Sequence, residues 1–100
     1  MTTKPISVSA KLWLWNKGKG SWHFVTVDKD SSDQIRDAWM WPRKGFGSVP
    51  VKVTIGQTTW KTSVFPQKDG TFVLPIKKSV RDDERVKEGD NVKITVEVLN

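Results

Sequence analysis

The sequence predicts a mainly β fold: a closed, six-stranded small barrel with two short helices, built from pseudo-twofold strand-helix-turn-strand units. Three observations carry that prediction. Apolar residues alternate with polar ones along Val49–Ile55 and again along Val92–Val98, the period of a strand with one face turned to a core. Short apolar stretches elsewhere are separated by glycine- and asparagine-rich turns. The 100 residues make one domain, and six strands in so small a domain avoid long exposed edges by closing on themselves.

Val8 to Trp15 and Trp22 to Val27 read as a hairpin joined by NKGKGS at 16–21. Placing Trp15 opposite Trp22 sets Trp13 against Phe24 and Leu14 against His23. One face then carries Trp13, Trp15, Trp22 and Phe24, the other Ala10, Leu12, Leu14, His23, Val25 and Val27; a one-residue slip would mix the sets. SSDQIRDAW follows as a helix, its serines able to cap the first backbone donors, with Asp33 at the positive end. Ile35, Ala38 and Trp39 form one apolar stripe, and Pro42 ends the segment.

Val49–Ile55 and Thr58–Phe65 are strands about the turn IGQT, and QKDG at 67–70 leads to Thr71–Ile76. A second helix, SVRDDERV, starts at Ser79 as cap with Val80 as its apolar anchor before Val86. Glu88-Gly89-Asp90 then turns the chain into the last strand. The run from FVTVDKDSSDQIR through Gly47 to a strand echoes the run from TFVLPIKKSVRDDER through Gly89 to a strand. That echo suits a barrel with an internal twofold.

The net charge is +6 and the pI is near 9.8, a balance that favours anionic partners at long range. The lysines are scattered, however, and Arg81 to Arg85 is mixed in sign, as an ordinary solvated surface would be. There is no cysteine, so no disulfide, thiolate metal site or cysteine nucleophile is available, which suits a reducing compartment. MTTKPISVSAKL has no long apolar run of the signal-peptide or membrane-spanning kind. A cytoplasmic chain with no membrane partner is the expectation.

Enzymatic chemistry finds little support in these residues. His23 is the only histidine and lies inside a strand, where a structural role is commoner than a catalytic one. No carboxylates have metal-ligand spacing, no serine sits in a nucleophile elbow, and Asp82, Asp83 and Glu84 read as solvated. No catalytic residue, metal or cofactor is expected.

Two stretches invite a binding role. Arg43-Lys44-Gly45-Phe46-Gly47 sets two cations before glycines whose N–H groups could form an anion nest, with Arg81 from the second helix as a further ligand. Alternatively, the glycines only ease the chain into Val49 while Phe46 plugs the barrel. The hairpin aromatics Trp13, Trp15, Trp22 and Phe24, flanked by Lys11, Lys17 and Lys19, would serve single-stranded nucleic acid as a stacking platform if exposed. If the first helix lays its stripe over them they are a second small core; coverage is favoured, because that stripe needs a partner.

Read in order, LWLW…WHFVTV…IR…RKGFGSVPVKVTIG…TWKTSVFP…LPIKKSVR…EGDNVKITVEV resembles a bacterial domain of unknown function, numbered nineteen-oh-five, over roughly residues 8 to 98. The part LPIKKSVRDDERVKEGDNVKITV is also similar to the strand-helix-turn-strand unit of swapped-hairpin antitoxins and transition-state regulators. The first resemblance implies a small closed barrel with short helices, in some members fused to or encoded with the bacteriocin-protection domain associated with YdeI and OmpD. Two departures stand out: Asp28 where relatives often carry proline, and the heavy AWMW before Pro42. The expected function is a non-enzymatic binding module for an unknown anionic ligand. The alternatives are single-strand binding through the hairpin and a protein-interaction accessory domain. The swapped-hairpin relatives dimerise to complete a barrel, but a chain holding both halves is expected to be a monomer, with a dimer the alternative.

Overall fold

The computed structural model describes residues 4–17, 20–39 and 47–100. Its strands are β1 (Ile6–Lys17), β2 (Gly20–Val27), β3 (Val49–Ile55), β4 (Thr58–Pro66), β5 (Phe72–Pro75) and β6 (Asn91–Val98). Helix α1 (Lys29–Ala38) links β2 towards β3, and α2 (Lys78–Glu84) links β5 to β6. The strands close in the order β1-β2-β5-β4-β3-β6, every pair antiparallel. The fold is the mainly β, closed six-stranded barrel with two helices that the alternation implies.

The internal twofold is visible in the pairing. Exchanging β1 with β4, β2 with β5 and β3 with β6 leaves every neighbour relation unchanged. β1 gives Ile6–Lys11 to β6 and Leu12–Lys17 to β2. β4 likewise gives Thr58–Val64 to β3 and Phe65–Pro66 to β5. Such a divided strand is how a tilted barrel closes without leaving an edge. The helices consequently lie at opposite ends of the barrel.

Inward positions are mostly β-branched, which suits the pleated wall of a narrow barrel. Val49, Val51 and Val53 of β3 and Val96 and Val98 of β6 are completely buried, and they meet Leu12, Val25, Val27, Val64, Phe72 and Leu74 in one core. Among the described residues no helix is long and apolar enough to cross a membrane.

The helix starts differ from expectation. Asp28, not a serine, caps α1: its carboxylate accepts the Ser31 N–H at 3.0 Å, which holds its pKa below the ordinary carboxylate value. The serines fall inside the first turn and are buried. Ser32 Oγ donates to the Val27 carbonyl at 3.0 Å and accepts the Phe72 N–H at 3.0 Å, so one hydroxyl joins the end of β2 to the start of β5. In α2, Ser79 is likewise within the helix, and Lys77 occupies the cap position without a side-chain bond. The chain there is tied to the sheet up to Ile76, whose N–H donates to the His23 carbonyl at 2.9 Å, so the helix starts immediately afterwards.

Replacing Ser32 by Ala leaves the Phe72 N–H without its buried partner. The expected loss is about 1–3 kcal/mol of stability, read from urea unfolding midpoints.

Candidate functional site

The end of the barrel beside α2 is open, and the β1–β2 hairpin forms part of its wall. In the strand ladders, Trp13–Lys17 and Gly20–His23 pair only with each other apart from Trp13, whose partner Phe24 also faces Pro75. The hairpin therefore stands beyond the closed wall as a two-stranded ribbon. Period-two alternation turns His23 inward over the mouth and Trp22 outward. Across the mouth, β4 brings Trp60, Lys61 and Thr62, and the β5–α2 junction brings Pro75, Ile76, Lys77, Lys78 and Arg81. Together with Ser21, Trp22 and His23 these residues line a cleft of about 410 Å³.

Helix α2 is fastened over this opening from the opposite side. Glu84 accepts the Thr58 hydroxyl at 2.5 Å, and its carboxylate lies against Gly56, which has a φ of 55°. The left-handed backbone there favours glycine, and a Cβ at Gly56 would push the Glu84 carboxylate aside.

Arg81 is the organising cation. Its Nε donates to the Ile76 carbonyl at 3.1 Å, and one terminal nitrogen lies 3.4 Å from His23 Nε2. A guanidinium can only donate, so this contact favours the tautomer with the His23 proton on Nδ1. Nδ1 is buried with no hydrogen-bond partner. Burial, then the Arg81 charge, lower the His23 pKa from its ordinary value, and Glu88 opposes them. Lys78 pairs with Asp82 at 2.8 Å on the exposed helix face. Among the described residues no carboxylate lies within ion-pair distance of Arg81, Lys61 or Lys77, and none lines the cleft.

The outer face of the ribbon carries the aromatics in the expected register, with Trp15 opposite Trp22 and Trp13 opposite Phe24. They are not covered by α1, contrary to the favoured expectation: Trp15 is 45% and Trp22 55% exposed. The α1 stripe finds its partner inside the barrel instead, with Ile35 fully buried and Ala38 and Trp39 packed against the core. The other barrel end offered an apolar opening to fill, and the helix fills it. Trp15, Trp22 and Phe24 join Phe65 and Pro75 around a shallow apolar cleft of about 220 Å³.

The family model described as Domain of unknown function (DUF1905) matches residues 9–96. The chain belongs to the DUF1905 family. No curated protein matches it. In this DUF1905 barrel the residues singled out from the sequence fall in separate places. Arg43, Lys44, Gly45, Phe46 and Lys19 lie outside the described residues, and of Lys17 only the backbone pairing with Gly20 is described. Gly47, with a φ of 76°, leads into β3 at the α1 end, whereas Arg81 stands at the α2 end, so Gly47 and Arg81 are not brought together. Lys11 is exposed on the outer face of β1, one pleat from Trp13.

His23, Trp60, Lys61, Lys77 and Lys78 were not marked as site residues by the sequence. Their signal was weak: one histidine and one tryptophan at inward strand positions, an outward lysine beside them, and a lysine pair at the start of a helix. Among the described residues, no three His, Asp or Glu side chains come together as a metal site requires.

Because the His23 pKa is lowered on folding, the unfolded chain binds its proton more readily. The stability linked to this group is complete above the unfolded value of about 6.5 and is lost as pH falls through the lower folded value. Urea midpoints measured from pH 7.5 down to pH 5 decline, and His23→Gln flattens that decline.

Proposed function

We propose that the DUF1905 barrel is a non-enzymatic binding module whose α2-end mouth holds a small anion. The observation that carries this reading is Arg81 without a carboxylate partner, set beside Lys61 and Lys77 around one cleft whose wall carries no acidic residue. Positive charge left unneutralised in a concave, partly desolvated place focuses the field on whatever enters. The Nε bond to Ile76 orients the guanidinium and leaves terminal N–H groups for a ligand; a planar fork of that kind suits phosphate or carboxylate oxygens.

His23 supports the same reading. It faces Arg81 and is held neutral, and no carboxylate orients its ring as a general base would require. Its part is to pack against the arginine and accept from it, which fixes where the guanidinium sits.

Amide chemical shifts followed during titration with inorganic pyrophosphate test the proposal. Signals from Ser21–His23 and Ile76–Arg81 are expected to move, and Arg81→Gln is expected to weaken binding about tenfold, as loss of a charge-assisted bond implies. A bound anion offsets the Arg81 charge and raises the His23 pKa, so affinity for sulfate, whose own charge is constant in this range, increases as pH falls from 7.5 to 6. Movement confined to Gly47, or none at saturating pyrophosphate, overturns the reading.

A further inference from the structure

The mouth and the aromatic face are contiguous. Trp22 and Pro75 line both clefts, the cationic one inside the rim and the apolar one outside it. The rim at this point is the thickness of one strand, because His23 turns into the mouth while Trp22 and Phe24 turn out from it. A ligand crossing the rim would meet positive charge first and exposed ring faces next.

The outer face is built for planar groups. Trp13 donates its indole N–H to Thr26 Oγ1 at 2.9 Å and packs on Phe24, with ring centroids 5.2 Å apart. Phe24 in turn lies 6.5 Å from Trp22 with the rings only 17° from parallel. The inner rings are thus locked while Trp15, Trp22 and Phe65 present the exposed surface, the large exposed apolar side chains among the described residues. Lys61 stands two pleats from Phe65 on the same face of β4, so the patch is edged by a cation that also lines the mouth.

The geometry points to one continuous site for single-stranded nucleic acid, with a backbone phosphate at the Arg81 mouth and the neighbouring base stacked on the Trp15–Trp22–Phe65 face. This rests on the reading of the mouth as an anion site and adds the ligand class. An anion with a long alkyl tail fits less well, because the barrel interior is filled by fully buried Val, Leu and Phe side chains and the outer cleft is too shallow to enclose a chain. A protein interface of ordinary size needs a much broader apolar patch than these few rings supply. Unpaired bases offer both the phosphate and the π-face, and stacking on them is tolerant of sequence. More than one free cation at the rim favours a strand over a lone nucleotide, since each adjacent phosphate adds an ion contact.

Fluorescence anisotropy of a labelled short oligothymidylate, with the full chain, tests the proposal. Binding is expected at low salt, with log affinity falling against log salt at a slope of about −2 if three phosphates are engaged. Trp22→Ala is expected to weaken it about tenfold or more, with Phe65→Ala, also on the exposed rim, giving a smaller loss in the same direction. Phe65→Ala, which alters only the outer cleft, keeps its pyrophosphate affinity and its urea midpoint. Equal binding of a duplex of the same length, equal binding of a single thymidine nucleotide, or an unchanged affinity in both variants overturns the inference. Pyrophosphate binding without oligothymidylate binding removes the single-strand site and leaves the anion mouth standing; absence of both removes the two together.

Discussion

Closure of the barrel depends on one divided strand in each half. β1 spends its first six residues on β6 and the remainder on β2, and β4 divides itself between β3 and β5 in the same way. Each backbone ladder thereby finds a partner on both sides, which a small sheet with open edges could not provide. The halves differ in how far the second partner is followed. The β4–β5 ladder is two pairs long, while the β1–β2 ladder runs on to Lys17 and Gly20. The projecting ribbon, its outward rings and the wall of the mouth all arise from that difference.

The two ends have accordingly taken different physical characters. At the α1 end the Ser32 hydroxyl stitches β2 to β5, Ile35 enters the core, and the Arg36 guanidinium lies 5.2 Å from the centroid of the Phe72 ring. Asn100 Nδ2 closes over the last turn of the helix with a 2.8 Å bond to the Ala38 carbonyl. At the α2 end the helix has no side-chain N-cap and is held by Val80 in the core and by Glu84 on the β3–β4 turn, leaving Arg81 turned towards His23. Side-chain hydrogen bonds from Ser32 and Asn100 tie the first end together, whereas at the second end Arg81 faces an open cleft.

Much of the architecture was legible because side-chain period is a local property. The alternation in VPVKVTI and NVKITVEV fixes which residues of β3 and β6 face inward, and the two-set logic of Leu12–Trp15 against Trp22–Val25 fixes the hairpin register. Helix caps were harder, because Asp28, Ser31 and Ser32 all compete for the same few N–H groups and the sheet decides where the chain is released. The destination of the α1 stripe was not legible at all: an apolar stripe states that a partner exists, and only closure shows that the partner is the barrel end. The mouth was missed for a related reason. Its lining comes from three distant segments, and inward strand residues such as His23 and Trp60 read as core until the ring is assembled.

The near-equivalence of the two halves has a mechanical meaning beyond pattern. Two copies of one topology, set head to tail, fill their ends differently. Helix α1 sends Ile35 into the core with Ala38 and Trp39 packed against it, whereas α2 sends in Val80 and leaves a cleft beside Arg81. Repetition gives a single short chain two ends that can specialise separately, one packed and one open.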